Sequence, residues 1–331
     1  MSMVYGPVPS RRLGQSLGID PIPFKTCNYN CVYCQLGRTT PVTHERKDFF
    51  PPEEILAEVR SALAAGRPGQ IDHVTFVGQG EPLLCASLGL LVRAVKAMTD
   101  VPVAVITNGS LIFRPEVREE LSAADVVMPT LDAADQATFR RIARPWSELR
   151  IHEIIDGMVA FREVFRGRLW VEVMLVRGVN DSEPVLFALA SALERIRPDQ
   201  VHLGVAIRPP AEVWVEPPDP EGMMRAMAIL GEVAPILTPA EGSVVLAEDV
   251  PADAAAVEVL SRHPLREEEL VEALGRFGRA EVRSTLAALE AGRKARRHLY
   301  RGQVFWEYTG GRFGGSAKPG SSEETGRSQA T

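Results

Sequence analysis

Between residues 51 and 207 the chain repeats one unit: a helix with an apolar stripe, then a short β-branched strand. Pro51-Pro52-Glu53-Glu54 opens the first helix, because proline and acidic residues suit a first turn. Ile55, Leu56, Val59 and Leu63 give it an apolar stripe, and Gly66 ends it. Asp72 to Gly78 then reads as a buried strand. Helices over 87–98, 115–122, 151–165 and 183–196 precede strands over 101–106, 126–130, 169–176 and 200–207. A short strand at Leu17 to Asp20 makes six. Strict alternation of this kind predicts an α/β fold with a parallel sheet and right-handed crossovers.

In such sheets the working residues gather at the carboxyl ends of the strands. The polar and glycine-rich stretches fall there. Gly78-Gln79-Gly80-Glu81-Pro82 follows the second strand, Thr107-Asn108-Gly109-Ser110 the third and Thr130-Leu131-Asp132 the fourth. The fifth carries Glu172 and runs into Arg177-Gly178-Val179-Asn180-Asp181. The sixth ends in Arg208-Pro209-Pro210-Ala211-Glu212.

The first strand leads into Cys27, Cys31 and Cys34, spaced C-x3-C-x2-C on one loop. Three thiolates so close together suit a soft metal, either an iron–sulfur cluster or zinc. Structural zinc wants a fourth ligand, and none is obvious. A [4Fe–4S] cluster held by three cysteines keeps one iron free for another molecule. Cys85, the fourth cysteine, stands alone. It reads as a small buried residue, with a hydrogen-donating thiol as the alternative.

With Tyr33 just before Cys34, this loop resembles the cluster loop of the radical S-adenosylmethionine (SAM) superfamily. Gly78-Gln79-Gly80-Glu81-Pro82 is similar to that superfamily's G-G-E-P motif, with Gln79 where glycine is usual. The resemblance covers about residues 4–247 and implies a partial (β/α)6 TIM-like barrel. It implies a [4Fe–4S] cluster ligated by Cys27, Cys31 and Cys34, with SAM on the open iron. Gly78, Gln79, Gly80 and Glu81 would surround the SAM amino group, an ammonium that wants oxygen acceptors. Tyr33 would lie near the adenine. Asn108, Thr130 and Asp132 are candidates for the ribose or carboxylate, and equally for caps and turns. Arg177 is a candidate partner for the SAM carboxylate or a substrate anion. The implied chemistry is reductive cleavage of SAM to a 5′-deoxyadenosyl radical that removes a hydrogen atom from substrate. A flavodoxin- or ferredoxin-type donor would supply the electron. Gly6 to Gly14 and Arg208 to Glu212 look like an iron–sulfur oxidoreductase branch distantly related to the wyosine-forming tRNA enzymes. Arg11 and Arg12 read either as solvated surface or as an anion contact at the site's mouth.

The 331 residues leave room for an appendage. The barrel is expected over 1–247, with a helix from Met223 to Val233 completing it. Three short helices and a hairpin turning at Arg301-Gly302 predict a winged helix–turn–helix over 248–308. Residues 309–331 are poor in apolar residues and read as a disordered tail. Residues 276–301 carry eight Arg or Lys against two Glu, within a chain of net charge −6. That patch suits nucleic acid first, with a solvated face or a docking surface for a peptide or the barrel as alternatives, so the expected substrate is RNA, then a peptide or protein, then a small metabolite. No membrane-length apolar run or signal peptide is apparent, and crowded cysteines argue against disulfides, so the expected location is cytoplasmic. The competing reading is a non-enzymatic iron–sulfur regulator that binds DNA through the winged helix.

Overall fold

The computed structural model of the protein describes residues 2–66, 69–231, 233–236 and 250–309. The expected boundary at 247–248 and the tail from 310 onward lie outside the described residues.

The eight strands of the main sheet lie in chain order: β1 (Val4–Ser10), β2 (Gly14–Ile19), β3 (His73–Phe76), β4 (Val103–Thr107), β5 (Val126–Pro129), β6 (Arg168–Leu175), β7 (Gln200–Val205) and β8 (Val233–Ile236). β1 pairs antiparallel with β2, and every other neighbouring pair is parallel. Crossover helices connect them: α1 (Pro52–Ala65), α2 (Leu88–Lys96), α3 (Pro115–Leu121), α4 (Gln136–Ile142), α5 (Ile151–Val164), α6 (Glu183–Ile196) and α7 (Pro220–Leu230). The result is an α/β fold with a curled parallel sheet, a half-barrel.

All six expected strands are present, and two edge strands are added. β1 contains Pro7 and Pro9, which a sheet tolerates at an edge, and its register with β2 shifts between Tyr5 and Val8. β8 closes the other edge, so the chain enters a strand at Val233 where helix was expected. α4 also escaped the sequence reading. At seven residues it is short, and the Asp135 side chain starts it by accepting from the backbone N–H groups of Ala137 and Thr138.

Successive strand residues face opposite sides. On the helix side Val74, Phe76, Val103, Val105, Val127 and Leu169 are buried against Ile55, Val59, Leu91, Val95 and Phe161. Each such side chain contributes about 1.5–3 kcal/mol on leaving water. On the concave side Leu13, Ala104, Val126, Met128 and Trp170 form a separate apolar floor.

The C-terminal unit has its own core of Val259, Leu260, Leu270, Val282, Leu286 and Trp306. Its elements are α8 (Ala252–Arg262), β9 (Leu265–Arg266), α9 (Glu267–Ala273), α10 (Gly278–Ala291), β10 (Ala295–Tyr300) and β11 (Gln303–Tyr308). The three strands form an antiparallel sheet in the order β10-β11-β9. β9 is too short to show periodicity in sequence. The hairpin turns at Arg301 and Gly302, both at positive φ (50° and 74°), as a tight two-residue connection requires.

This unit is docked on the half-barrel. The Arg262 guanidinium lies 3.4 Å from the centre of the Tyr5 ring and 3.9 Å from Asp20 Oδ2. The Tyr300 hydroxyl donates to the carbonyl of Ala206 at 3.0 Å.

Candidate active site

The loop after β2 carries the three cysteines along the carboxyl edge of the sheet. Its start is stitched to the turn after β3. Lys25 N donates to Gln79 O (2.7 Å), Glu81 N to Thr26 O (2.9 Å) and Gln79 N to the buried Asp20 carboxylate (3.1 Å). The approach is so close that a Cβ at Gly80 would stand 1.9 Å from Thr26 O, and one at Gly78 would stand 2.7 Å from the Ile22 side chain. Glycine is required at Gly80, where the obstacle is backbone, whereas at Gly78 the obstacle is the end of a side chain. Gln79 has no left-handed backbone, so a side chain is admitted between them. Lys25 does hold a positive φ (57°), strain of the kind that gathers at functional loops.

Glu81 is buried, and its carboxylate is fully engaged. It accepts from the Thr107 hydroxyl (2.5 Å), Asn108 N (2.7 Å) and Leu83 N (2.9 Å). It therefore ties the β3 turn to the end of β4. Burial pushes its pKa up to about 7, against the pull of those hydrogen bonds.

Asn108 reaches the cysteine loop. Its amide donates to Asn28 Oδ1 at 2.9 Å and lies 3.7 Å from Cys27 Sγ. Asn28, wholly buried, donates to Ser110 Oγ at 2.7 Å. Asn28 sits inside the cysteine motif and was overlooked because nothing local marks it as buried.

Tyr33 meets Asp132: its hydroxyl donates to Asp132 Oδ2 at 2.5 Å, while Met174 N donates to Oδ1 at 2.8 Å. Burial raises Asp132 to about 7 and lifts Tyr33 well above its usual value. Thr130 bridges to Glu172 on β6. Two groups of contacts thus meet the cysteine loop: Glu81 and Asn108 at Asn28 and Cys27, and Asp132 at Tyr33. Arg177 stands apart from both: exposed, it pairs with Glu216 at 2.9 Å.

All three loop cysteines are free and partly exposed. Among the described residues no group of three His, Cys, Asp or Glu stands in ion-holding geometry. Burial is the first cause that pushes Cys27 up to about 12 and Cys31 well above its ordinary value; Glu81 next raises Cys27, and neighbouring thiols Cys31. As thiols they have little reason to converge, and metal binding would displace their protons. The surroundings suit thiolates nonetheless. Lys25 Nζ donates to Cys34 Sγ at 3.2 Å, and Tyr29 N to Cys27 Sγ at 3.4 Å.

Two further features hold the site. Glu212 N donates to Val32 O at 3.1 Å, and its buried carboxylate takes Arg38 in a two-pronged contact (2.9 and 2.8 Å) together with Arg144. This clamps the cysteine loop against the segment after β7. Arg144 itself has φ 44°. On the concave face Arg12 pairs with Glu172, both side chains largely buried. His202 lies alongside, its ring edge-on to Trp170 at 5.4 Å. Arg12 is therefore an internal partner of a carboxylate, and neither of its expected roles fits. Cys85 is buried, as expected of a small packing residue, with Ser87 Oγ at 3.5 Å.

The sequence pattern of the Radical SAM superfamily matches residues 22–190. The chain belongs to this superfamily. A UPF0026 protein of Methanocaldococcus jannaschii is 38% identical over 282 residues, 83% of this chain and 87% of that one. A GTPase Obg of Brachyspira hyodysenteriae is 43% identical over 205 residues, which are 62% of this chain but only 30% of that protein. A radical SAM methyltransferase from Sphaerobacter thermophilus shares the fold, with TM-score 0.51 and 19% identity over 67% of this chain and 66% of its own. This radical SAM protein is accordingly an enzyme whose cofactors are a [4Fe–4S] cluster and SAM. Its chemistry requires a reductant. Among the described residues no helix is long and apolar enough to cross a membrane.

Proposed function

We propose that Cys27, Cys31 and Cys34 hold a single [4Fe–4S] cluster at which SAM is reductively cleaved, and that the concave face of the half-barrel receives the substrate. The observation that carries this reading is the stitching of the cysteine loop to the Gly78–Pro82 turn by two backbone hydrogen bonds, with a third from Gln79 N to the Asp20 carboxylate at the end of β2. It puts sulfur ligands and a glycine-lined backbone surface side by side at the carboxyl edge of the sheet. When bound, the cluster and SAM supply one electron and a 5′-deoxyadenosyl radical that takes a hydrogen atom from substrate.

The chain's own residues then have distinct tasks. Gly78, Gln79 and Gly80 offer backbone to the amino group of SAM, while Glu81 fixes their turn from beneath. Asn108 bridges the cysteine loop and β4. Tyr33 and Asp132 set the opposite wall, and Asp132 is suited to a ribose hydroxyl once Tyr33 is displaced. Arg177 requires release from Glu216 before it can reach an anion, so it is a weaker candidate.

The C-terminal unit, with three helices and a three-stranded antiparallel sheet, reads as a winged helix over 248–308 beside a barrel over 1–247. Three of its basic side chains are already paired: Arg283 with Glu267, Arg296 with Glu307 and Arg297 with Glu290. This weakens an RNA, peptide or DNA face there, and with it the regulator reading. A small-molecule substrate is the better fit, in a protein expected to be cytoplasmic and served by a flavodoxin- or ferredoxin-type donor. The test is anaerobic cluster reconstitution followed by SAM and dithionite. Accumulation of 5′-deoxyadenosine is expected; a cluster that never cleaves SAM overturns the reading.

A further inference from the structure

A cavity of about 320 Å³ lies where the carboxyl end of β7 meets the C-terminal unit. One wall is Ile207 and Arg208. The other is Arg266, Glu269 and the hairpin of β10 and β11, including Tyr300 and Arg301. It is within the size range of small-ligand sites.

The charges in this cavity do not balance. Glu269 is already spent: its two oxygens accept from Arg266 Nη2 at 3.0 Å and Arg266 N at 2.7 Å. That leaves Arg208 and Arg301. Arg208 donates to Gln35 Oε1 at 3.2 Å, a neutral acceptor, and its Nε is closed to solvent with no partner. Neither Arg208 nor Arg301 has a carboxylate within ion-pair distance among the described residues. Arg208 is only partly exposed, and a cation partly withdrawn from water without a counter-ion is costly; a bound anion relieves that cost. Burial lowers Arg208 to about 10, Glu269 opposing and Arg11 and Arg266 adding to the fall; it remains a cation at neutral pH.

The position is as informative as the charge. Gln35 follows Cys34 directly, so Arg208 links the cavity to the end of the cysteine loop. Tyr300 pins the hairpin to β7 through Ala206 O. The cavity is therefore walled by the C-terminal unit on the side away from the cysteines. A polymer needs an extended track, whereas a single anionic group needs only a fork of donors.

We infer that this cavity binds the phosphate or carboxylate group of a small-molecule substrate, with Arg208 as the anchor and Arg301 on the hairpin turn as the cover. Calling that molecule the substrate rests on the SAM-cleaving reading above; the anion site itself does not. On this account the C-terminal unit is a wall of the active site, built to hold one end of the substrate while its other end lies over the concave face.

The test is calorimetric titration of the full chain, without reductant, with inorganic phosphate, pyrophosphate, citrate and a short single-stranded RNA. Saturable one-to-one binding of a phosphate or of citrate is expected, and which of them binds identifies the oxyanion. Arg208→Gln should weaken it at least tenfold with an unchanged melting temperature. Arg301→Gln, on an exposed turn, should weaken it severalfold and decides the matter if the first variant fails to fold. Arg283→Gln, outside the cavity, should bind as the parent does. No saturable binding of any small anion, equal binding by the Arg301 variant, or binding of RNA alone overturns the inference. 5′-Deoxyadenosine formation, followed separately in the same preparation, reports on SAM cleavage whichever way the titration falls.

Discussion

The hydroxyl of Tyr33, one residue before Cys34, donates at 2.5 Å to the carboxylate of Asp132 at the end of β5. Ninety-nine residues separate them in the chain. The contact joins the cysteine loop to the segment that follows β5.

Tyr33→Phe should therefore loosen the loop without emptying the core. It leaves a buried carboxyl one donor short, at a cost of about 1–3 kcal/mol. Urea denaturation of the parent and variant measures this. Asp132→Asn, still able to meet Tyr33, should lose less than Tyr33→Phe.

Glu81 and Asp132 make the apoprotein's stability depend on pH in a definite direction. Burial raises both, to about 7, above their unfolded values of 4.5 and 3.8. The folded state then binds more protons than the unfolded chain. Their contribution is full below pH 4, and it is lost as the pH rises to about 7, on the order of a few kcal/mol for each. Denaturation midpoints of the metal-free protein from pH 5 to pH 8 should fall more steeply for the parent than for Glu81→Gln. Glu212 works the opposite way: the Arg38 hydrogen bonds hold it low, so its support fades only as the pH falls through the acid range.

Glu212→Gln breaks the clamp on the cysteine loop. Amide exchange at Val32 and its neighbours should quicken, and tryptic cleavage after the already exposed Arg38 should speed up as its loop loosens. Exchange in α10, in the other unit, should not change.

Gly80→Ala places a methyl group where Thr26 O already stands, and backbone on both sides leaves no easy retreat. A loss of about 1–3 kcal/mol or more is expected, with failure to take up iron. Gly275→Ala is the control, since nothing lies within 4 Å of a Cβ there.

What could be read from the sequence was what is encoded locally. The cysteine spacing, the Gly78–Pro82 turn and six strands with their helices each declare themselves within a few residues. β1 did not, because its prolines mask an edge strand, and α4 did not, because seven residues hold too little periodicity. The roles of Glu81, Asn28 and Glu212 were hidden for a different reason. Glu81 is held by Thr107 and Asn108, and Glu212 acts on Arg38 and Arg144. Those partners meet only in three dimensions. Within the basic run at 276–301, the pairing of Arg283, Arg296 and Arg297 with Glu267, Glu307 and Glu290 likewise appears only in the folded chain.

Reconstituting the purified protein with iron and sulfide, then adding SAM and dithionite without oxygen, tests the central claim most directly. The account predicts about four irons per chain, 5′-deoxyadenosine with the parent, and neither iron nor product when Cys27, Cys31 or Cys34 is alanine. An intact cluster in any of those variants, or a parent cluster that leaves SAM whole, would contradict it.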